Sequence, residues 1–275
     1  MVNQEVWIPG IASVTRDQSH CKEGTKDFME IMTEAPRRVL AVTPHPDDCE
    51  GGCGCTLSKW INQSGTEAVV VLCTNGDKGT SDRSMSPARL AATREREQQE
   101  AADVMGAKRV IFLSHPDGGL EDATLFRSQL VRAIRRHKPD VILCIDPYRI
   151  ASHTHRDHRM SGQVALDAAF TYAWNELHFP EQIKQEGLET HQVREALLWG
   201  TESPDVYVDI TDYLEMKAES ISKHVSQMSS DSVRRSEWIR QGAARQGKAA
   251  GVSYAEGYRR IAFDMGSLAW QYMNL

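Results

Sequence analysis

Short apolar runs alternate with amphipathic stretches through the first half of the chain. The runs are rich in β-forming residues, which predicts strands, and the stretches between them carry apolar residues at helical spacing. Strands that alternate with helices form βαβ units, so the pattern predicts an α/β fold in which helices cover a parallel sheet. The predicted strands are Arg38–Thr43, Ala68–Cys73, Arg109–Leu113 and Asp140–Ile145, and the predicted helices are Gly52–Gln63, Ala88–Met105 and Ala123–His137.

The last third of the chain is less regular. Ala196–Trp199 and Val206–Ile210 predict two more strands. Asp212–Met228 and Ser253–Phe263 predict amphipathic helices. Arg234–Gly251 mixes Arg, Gln, Gly and Ala without a clear period. This composition favours a mobile loop or a solvated helix, and a lid over a binding site is the alternative.

Length and charge narrow the class of protein. A chain of 275 residues with 40% hydrophobic residues can bury one sizeable core, so one domain is expected. Its net charge of −6 comes from basic and acidic residues spread along the chain, which lacks the concentrated positive field that nucleic-acid binding needs. No apolar run approaches the ~20 residues of a membrane span, and residues 1–36 lack the features of a secretory signal. We therefore expect a soluble, cytoplasmic protein without nucleic-acid partners.

The six cysteines are too few for a disulfide scaffold in a chain of this length. Cys73 and Cys144 lie inside apolar runs, where a small buried thiol is usual. Cys49, Cys53 and Cys55 could form a thiolate metal site. They lie where a helix should begin, however, and Cys53 and Cys55 would then point to nearly opposite faces. We expect reduced thiols.

A histidine and two carboxylates directly follow the first predicted strand, in the sequence His45-Pro46-Asp47-Asp48. Ligands of α/β sheets bind at the carboxyl ends of the strands. A turn can aim His45 and Asp48 at one ion, while Asp47 stays outside the coordination sphere and handles protons. Nitrogen and oxygen ligands with an open position are typical of catalytic zinc. The alternative is an Asx-capped helix start, in which Asp47 or Asp48 accepts backbone N–H groups.

A second cluster, His153-Thr154-His155-Arg156-Asp157-His158, follows the fourth predicted strand. Three histidines in six residues are rarely part of a core, and the cluster should open onto the same edge of the sheet as the first. A solvated histidine-rich loop is the alternative. Asp48 and His158 are 110 residues apart, so their pairing depends on the shared sheet edge.

Together the two clusters resemble the PIG-L or LmbE-like deacetylases, a family that includes N-acetylglucosaminyl-phosphatidylinositol deacetylase and enzymes of mycothiol and bacillithiol synthesis. The likeness covers roughly Arg38–Arg159, and its details are most similar to the diacetylchitobiose deacetylase branch. It implies a single Rossmann-like domain, with a mostly parallel sheet flanked by helices, over residues 37–275. Residues 1–36 would then form an N-terminal arm, and the branch implies a homo-oligomer.

The resemblance also implies roles for individual residues. His45, Asp48 and His158 would bind zinc, and Asp47 would be the general base that deprotonates the metal-bound water. The same ligands could bind iron or cobalt. His155 would stabilise the oxyanion, and Asp157 would orient His155.

Arg94 and Asp117 match substrate-binding positions of the family. Arg94 would contact the substrate, and Asp117 would belong to a sugar-contacting loop. Each has an ordinary alternative: Arg94 could be one charge of a solvated helix face, and Asp117 could be a turn residue before two glycines. The chain departs from many relatives at Cys49 and at Arg156, whose positive charge could favour a negatively charged or strongly polar substrate.

The expected function is removal of an N-acetyl group from an amino sugar by attack of a zinc-bound water on the amide. N-acetylglucosamine or a short chitooligosaccharide such as diacetylchitobiose would be the substrate. An amidase or deacylase for another N-acyl compound, such as a thiol-sugar conjugate or an antibiotic intermediate, is the alternative on the same zinc site. A non-catalytic sugar-binding module is a third hypothesis, against which the presence of Asp47 and both histidines of the second motif argues.

Overall fold

The computed structural model describes residues 29–227 and 232–263. In that part of the chain, eight strands form one sheet in the order β1-β7-β8-β6-β5-β2-β3-β4. All neighbours are parallel except β8, which runs antiparallel to β6 and β7. The expected α/β fold with a mostly parallel sheet is thus confirmed. The strands are β1 Glu30–Ile31, β2 Arg38–Thr43, β3 Glu67–Thr74, β4 Arg109–His115, β5 Val141–Ile145, β6 Glu195–Trp199, β7 Val206–Asp209 and β8 Ala255–Ala262.

Helices cover the sheet, and local chemistry sets their ends. The hydroxyl of Ser86 accepts a hydrogen bond from the Arg89 N–H at 3.3 Å and so caps the second helix, which ends where Gly106 adopts a φ of 82°. Over the described ranges, none of the helices combines the length and apolarity needed to cross a membrane. The helices are α1 Asp48–Ser64, α2 Pro87–Met105, α3 Thr124–His137, α4 Arg156–Asp167, α5 Pro180–Lys184, α6 Leu214–Ser222 and α7 Ser232–Ala250.

The order of strands places a switch of direction between β2 and β5. From β2 the chain proceeds through β3 to the edge strand β4, and then returns to place β5 on the other side of β2. Right-handed crossovers put α1 and α2 on one face and α3 on the other, and α1 packs with α2 and α6 whereas α3 packs with α4. The loop with His45, Asp47 and Asp48 follows β2 and the histidine-rich loop follows β5, and these two strands are hydrogen-bonded neighbours. Such a switch point is where ligands of α/β sheets bind.

Helix α1 is kinked at Cys53, whose φ of −143° interrupts the helical backbone. Beyond the kink, the carboxylate of Glu256 on β8 accepts the N–H group of Cys55 at 3.3 Å and that of Thr56 at 2.8 Å. The side chain therefore caps the part of α1 beyond the kink from a different element.

The prediction of a helix at Ser253–Phe263 is wrong, because Ala255–Ala262 forms strand β8. Tyr254, Tyr258 and Ile261 recur at helical spacing, which imitates an amphipathic helix. Pairing with two neighbouring strands outweighs this local pattern, and Tyr258 is fully buried in the sheet.

Two other C-terminal predictions are refined. The helix predicted at Asp212–Met228 is interrupted: α6 spans only Leu214–Ser222, and short 3₁₀ turns lie on both sides. Met228 lies outside the described residues. The stretch predicted as a loop or solvated helix is the helix α7, and it packs against β8. Of the predicted N-terminal arm, residues 29–36 are described, and Glu30–Ile31 pairs with β7 as strand β1.

Candidate metal centre and active site

The chain leaves β2 and enters α1 through a turn that contains one strained residue. Asp47 has a φ of 90°, which residues other than glycine rarely adopt, and its side chain makes no capping bond to α1. Two hydrogen bonds support the turn: the His45 N–H donates to Asp48 Oδ2 at 3.1 Å, and the Asp47 N–H donates to Gln98 Oε1 at 3.3 Å. As a result, His45 Nδ1 lies 3.1 Å from Asp48 Oδ2.

His158 joins these two residues from the neighbouring loop. It lies in the first turn of α4, which follows β5, and its Nε2 is 3.2 Å from Asp48 Oδ2. One ligand atom each from His45, Asp48 and His158 lies within 4.8 Å of the others. The structure thus brings together two imidazole nitrogens and a carboxylate oxygen, a donor set that suits catalytic zinc.

Two further carboxylates contact the other side of the His45 ring. Nε2 lies 3.1 Å from Asp157 Oδ2 and 3.2 Å from Asp117 Oδ1. Burial lowers the pKa of His45, but hydrogen bonds to its three carboxylate partners outweigh burial and raise the pKa to about 11. The surroundings therefore favour a positive charge at this imidazole, which a proton or a bound cation can supply.

Asp157 is fully buried and is fixed by the loop that follows β4. The Gly118 N–H donates to its Oδ2 at 2.7 Å, and the Leu120 N–H donates to its Oδ1 at 3.1 Å. Burial raises its pKa, but hydrogen bonds from His45 and these amides outweigh burial and lower it. The resemblance implied that Asp157 orients His155. The carboxylate contacts His45 and also lies 4.0 Å from His155 Nδ1, so the orientation of His155 by Asp157 stays a prediction.

His155 is the exposed histidine of the cluster, with 48% of its side chain accessible. Its Nδ1 accepts a hydrogen bond from the Asp157 N–H at 3.2 Å, so this nitrogen carries no proton and Nε2 is the donor. The ring lies edge-on to His45, with the centroids 4.9 Å apart. His155 therefore offers a neutral N–H donor beside the ligand set.

Asp47 has an unusual acidity for a carboxylate. Burial, together with the negative charge of Asp48, raises its pKa to about 6, although Arg94 lowers it. Arg94 Nη2 lies 3.5 Å from Asp47 Oδ2. A carboxylate with a pKa near neutrality can both accept and return a proton.

Arg94 and Asp117 lie behind the cluster. Arg94 is 4% exposed, so it does not lie on a solvated face, and it donates to the carbonyl oxygens of Gly76 at 3.0 Å and Pro46 at 2.7 Å. Asp117 contacts His45 and accepts the Lys78 N–H at 3.2 Å, and its hydrogen bond with His45 lowers its pKa to about 2. Both residues support the turn or the ring of His45.

Sequence reasoning missed three buried residues behind Asp47. Gln98 accepts the Asp47 N–H through Oε1 and donates through Nε2 to Glu50 Oε1 at 2.7 Å. Glu50 Oε2 in turn lies 3.3 Å from His224 Nε2, and both of these side chains are fully buried. The only local signal was the position of Glu50 in the first turn of α1. Gln98 and His224 arrive from distant parts of the chain, where no motif marks them.

The remaining histidines and cysteines of the motifs do not join the centre. His115 pairs with Gln129, with 2.6 Å between Nε2 and Oε1, and His153 Nε2 lies 3.3 Å from Arg159 Nη1. Cys49, Cys53 and Cys55 are buried free thiols. A hydrogen bond to Cys53 and burial raise the pKa of Cys49, which disfavours a thiolate.

A cavity of about 480 Å³ extends from Asp47, Asp48 and His158 to helix α7. We call the part lined by those three residues the metal end, and the part lined by α7 the far end. Trp238 of α7 is 70% exposed and lines the far end. Other residues that line the cavity are Arg149, Trp199, Lys217, Arg245, Gln246 and Glu256.

The chain is similar in sequence and in fold to known proteins. Residues 40–169 match the model of the PIG-L family, GlcNAc-PI de-N-acetylase. The chain is 33% identical over 226 residues to diacetylchitobiose deacetylase of Thermococcus kodakarensis. The aligned region covers 82% of this chain and 83% of that protein. The structure of N,N'-diacetylchitobiose deacetylase from Pyrococcus horikoshii superimposes with a TM-score of 0.77, at 33% identity over 83% of this chain and 85% of that one. Mycothiol S-conjugate amidase of Streptomyces coelicolor is 27% identical over 52% of this chain and 55% of that protein.

Proposed function

The chain belongs to the PIG-L family of deacetylases, and we propose that it is a zinc-dependent hydrolase that removes the N-acetyl group from an amino sugar. N-acetylglucosamine or a short chitooligosaccharide such as diacetylchitobiose is the proposed substrate. The observation that carries the proposal is the convergence of His45, Asp48 and His158 beside Asp47, whose pKa is raised to about 6, at the mouth of a cavity. The name of the Thermococcus relative supports the choice of sugar.

His45, Asp48 and His158 would hold the zinc ion. Their two nitrogens and one oxygen leave a coordination position open, as in hydrolytic zinc sites. The carboxylates around His45 raise the pKa of its imidazole to about 11, so these surroundings stabilise a positive charge. A metal cation would supply that charge. Zinc in such a site lowers the pKa of a coordinated water to about 7 and polarises a carbonyl group.

Asp47 would accept the proton of the attacking water and return it to the leaving amine. Its carboxylate borders the cavity, and a base is most useful when its pKa lies near the working pH. The Gln98 amide and the Arg94 guanidinium hold the turn that carries Asp47. Contact between Arg94 and the substrate, which the family resemblance implies, stays a prediction.

His155 would donate its Nε2 proton in a hydrogen bond to the carbonyl oxygen as that oxygen gains negative charge. A fixed donor stabilises the transition state more than the ground state, which raises the rate. Asp117 and Asp157 would hold the ring of His45 in the orientation that its ligand nitrogen needs.

Product analysis tests the proposal. Zinc-loaded protein is incubated with diacetylchitobiose and, separately, with N-acetylglucosamine, and free acetate and free amine are measured. We expect acetate and an equal amount of amine from at least one of them, and far less of both from Asp47→Asn protein. Release from neither sugar, but from another N-acyl compound, would favour the alternative amidase function, for which the Streptomyces relative provides a precedent. Absence of turnover on a wide panel would contradict an enzymatic role.

A homo-oligomer remains part of the proposal. Light scattering at micromolar concentration should give a mass that is a multiple of 30.8 kDa. A mass of one chain would contradict it.

A further inference from the structure

Two arginines line the cavity without an ionic partner. Arg149 follows β5 and Arg245 lies on α7. Among the residues that the structure describes, neither guanidinium forms a salt bridge or a hydrogen bond, and the Nε of Arg149 is buried without a partner. A buried polar atom without a partner costs free energy. The Nε atoms of Arg38 and Arg94 are also unpartnered, but of these three arginines only Arg149 lines the cavity.

Neighbouring arginines make the contrast clear. Arg156 donates to the Leu120 carbonyl at 3.2 Å, and Arg159 donates to the Thr154 carbonyl. Arg259 lies 3.9 Å from Asp146. Arginines around this loop thus find acceptors within the protein, whereas Arg149 finds none among the described residues.

The fold makes room for the guanidinium of Arg149. Gly200, in the loop after β6, has a φ of 65°, and a Cβ on it would lie 2.2 Å from Arg149 Nη2. Any other residue would therefore strain the backbone and displace the end of the arginine side chain. The carboxylate of Glu202 fixes the adjacent loop backbone, because it accepts the N–H groups of Ile150 and Ser152 at 2.8 Å. The Arg149 guanidinium thus lies against the loop after β6, and the backbone that follows Arg149 is fixed by Glu202.

The charges of the cavity leave these arginines uncompensated. Asp47 and Asp48 belong to the metal end. Lys217 and Glu256 neutralise each other, with 2.6 Å between Nζ and Oε1. The positive charges that remain in the wall are those of Arg149 and Arg245.

We propose that Arg149 and Arg245 form a binding site for an anionic group of the substrate, a carboxylate or a phosphate, carried on the part of the molecule away from the acetamide. This proposal rests on the proposed deacetylase function and narrows its substrate to amino sugars with an acidic substituent. Guanidinium groups bind carboxylates and phosphates through paired hydrogen bonds, which an unpartnered arginine in a cavity can provide.

A matched pair of substrates tests the proposal. The carboxymethyl glycoside of N-acetylglucosamine carries an acid, and its carbamoylmethyl glycoside has nearly the same shape without the charge. Both anomers are used, and N-acetylglucosamine 1-phosphate distinguishes phosphate from carboxylate binding. The measured quantity is the ratio of kcat/KM for the charged substrate to that for the neutral one.

We expect a ratio of about 10 to 100, which is the effect of one hydrogen bond to a charged group. Arg149→Gln should bring the ratio close to one, and Arg149→Lys should keep part of it, because a lysine retains the charge without the paired donors. Arg240→Gln is the control: it removes the same charge from α7 at a residue that pairs with Glu215 outside the cavity lining. That variant should keep the wild-type ratio.

Binding to Asp47→Asn protein, measured by calorimetry, separates this proposal from the deacetylase function. If the charged glycoside binds more tightly than the neutral one, but the wild type releases no acetate, the anion site is supported and the enzymatic function is contradicted. Equal turnover of both glycosides, or a preference that survives both Arg149→Gln and Arg245→Gln, would overturn the anion site. If Arg149→Gln fails to fold, the salt dependence of the wild-type ratio tests the proposal. Salt screens charges, so a preference that comes from charge must shrink as the salt concentration rises from about 0.05 to 0.5 M.

Discussion

The metal end and the far end of the cavity are built from different parts of the chain. The metal end comes from two short segments that follow adjacent parallel strands, and its ligands are spaced as a local motif. The far end comes from α7 and from loops near β6 and β8, where no motif is visible. Residues that would carry the chemistry are thus marked in the sequence, whereas residues that would select the substrate are defined by the fold. The predictions below test this division.

The largest effect should come from the ligands. His45→Ala, Asp48→Ala or His158→Ala should abolish measurable turnover and lower the zinc content of dialysed protein, because each variant removes one of three donors. Elemental analysis checks this, and His153→Ala, outside the ligand set, is the control. Stoichiometric zinc in all three variants would refute the assignment.

Asp47→Asn should keep zinc and lower kcat by about 10²–10⁴-fold, because an amide cannot accept the proton. The kcat/KM of the wild type should fall at low pH, as Asp47 becomes protonated. The pKa of Asp47 is about 6 without a metal, and a nearby cation lowers it, so the midpoint should be no higher than about 6. A midpoint above 7 would point to another base.

Asp47→Asn should raise the stability of the protein, although it lowers the activity. A raised pKa means that the ionised Asp47 carboxylate costs folding free energy above pH 6, and this cost disappears as the pH falls through that pKa. Metal-free Asp47→Asn protein should therefore have a higher Tm than the wild type at pH 7, and the difference should shrink at pH 5. A lower Tm at pH 7 would show that the carboxylate stabilises the turn.

His155→Ala should lower kcat by about 10²–10³-fold with zinc and KM nearly unchanged, as expected for loss of one oxyanion donor. His155→Gln separates two forms of the mechanism. If a neutral N–H donor is enough, as the contact of Nδ1 with the Asp157 N–H indicates, Gln should recover part of the rate. Equal rates for the Gln and Ala variants would require a cationic imidazole. Loss of zinc from His155→Ala alone would show that His155 and His158 have exchanged roles.

Asp117→Asn should weaken zinc binding by about 10–100-fold, because it removes a carboxylate that orients His45. Competition with a chelator measures the affinity. Asp122→Asn removes a nearby carboxylate that pairs with Arg127 and should leave the affinity unchanged. If Asp117 contacted the sugar instead, KM would rise while the zinc affinity stayed the same.

The smallest effect belongs to the far end. Trp238→Ala should raise KM by about 2–10-fold with little change in kcat, because an aromatic contact contributes modestly to binding. Trp174→Ala, an exposed tryptophan outside the cavity lining, is the matched control. An equal loss of kcat would mean that the far end takes part in the chemistry.

The sequence predicted the strands best where they are buried on both faces. Strand β5 is apolar throughout, so its period could not be mistaken for that of a surface helix. Strand β8 was misassigned because Tyr254, Tyr258 and Ile261 lie at helical spacing, and pairing with its neighbours β6 and β7 decides its conformation. The family resemblance is confirmed by the matched relatives.

The candidate site shows the same limit. His45, Asp48 and His158 were brought together by reasoning about strand ends, because backbone topology alone determines where those ends lie. The side-chain partners of Arg94 and Asp157 depend on how helices and loops pack, which residue spacing does not encode. Arg149 drew no attention in the sequence, because an arginine becomes unusual only when the fold leaves it without an acceptor.

The capping of α1 by Glu256 has a consequence for the order of folding. The contact between Glu256 and the Cys55 N–H joins residues 201 positions apart, and β8 must first insert between β6 and β7. Contacts of such long range form slowly, because a large loop must close before they contribute. During synthesis, the ligand-bearing turn therefore emerges early but gains its final support only after the last described strand has been made, so maturation of the metal centre should coincide with completion of the sheet.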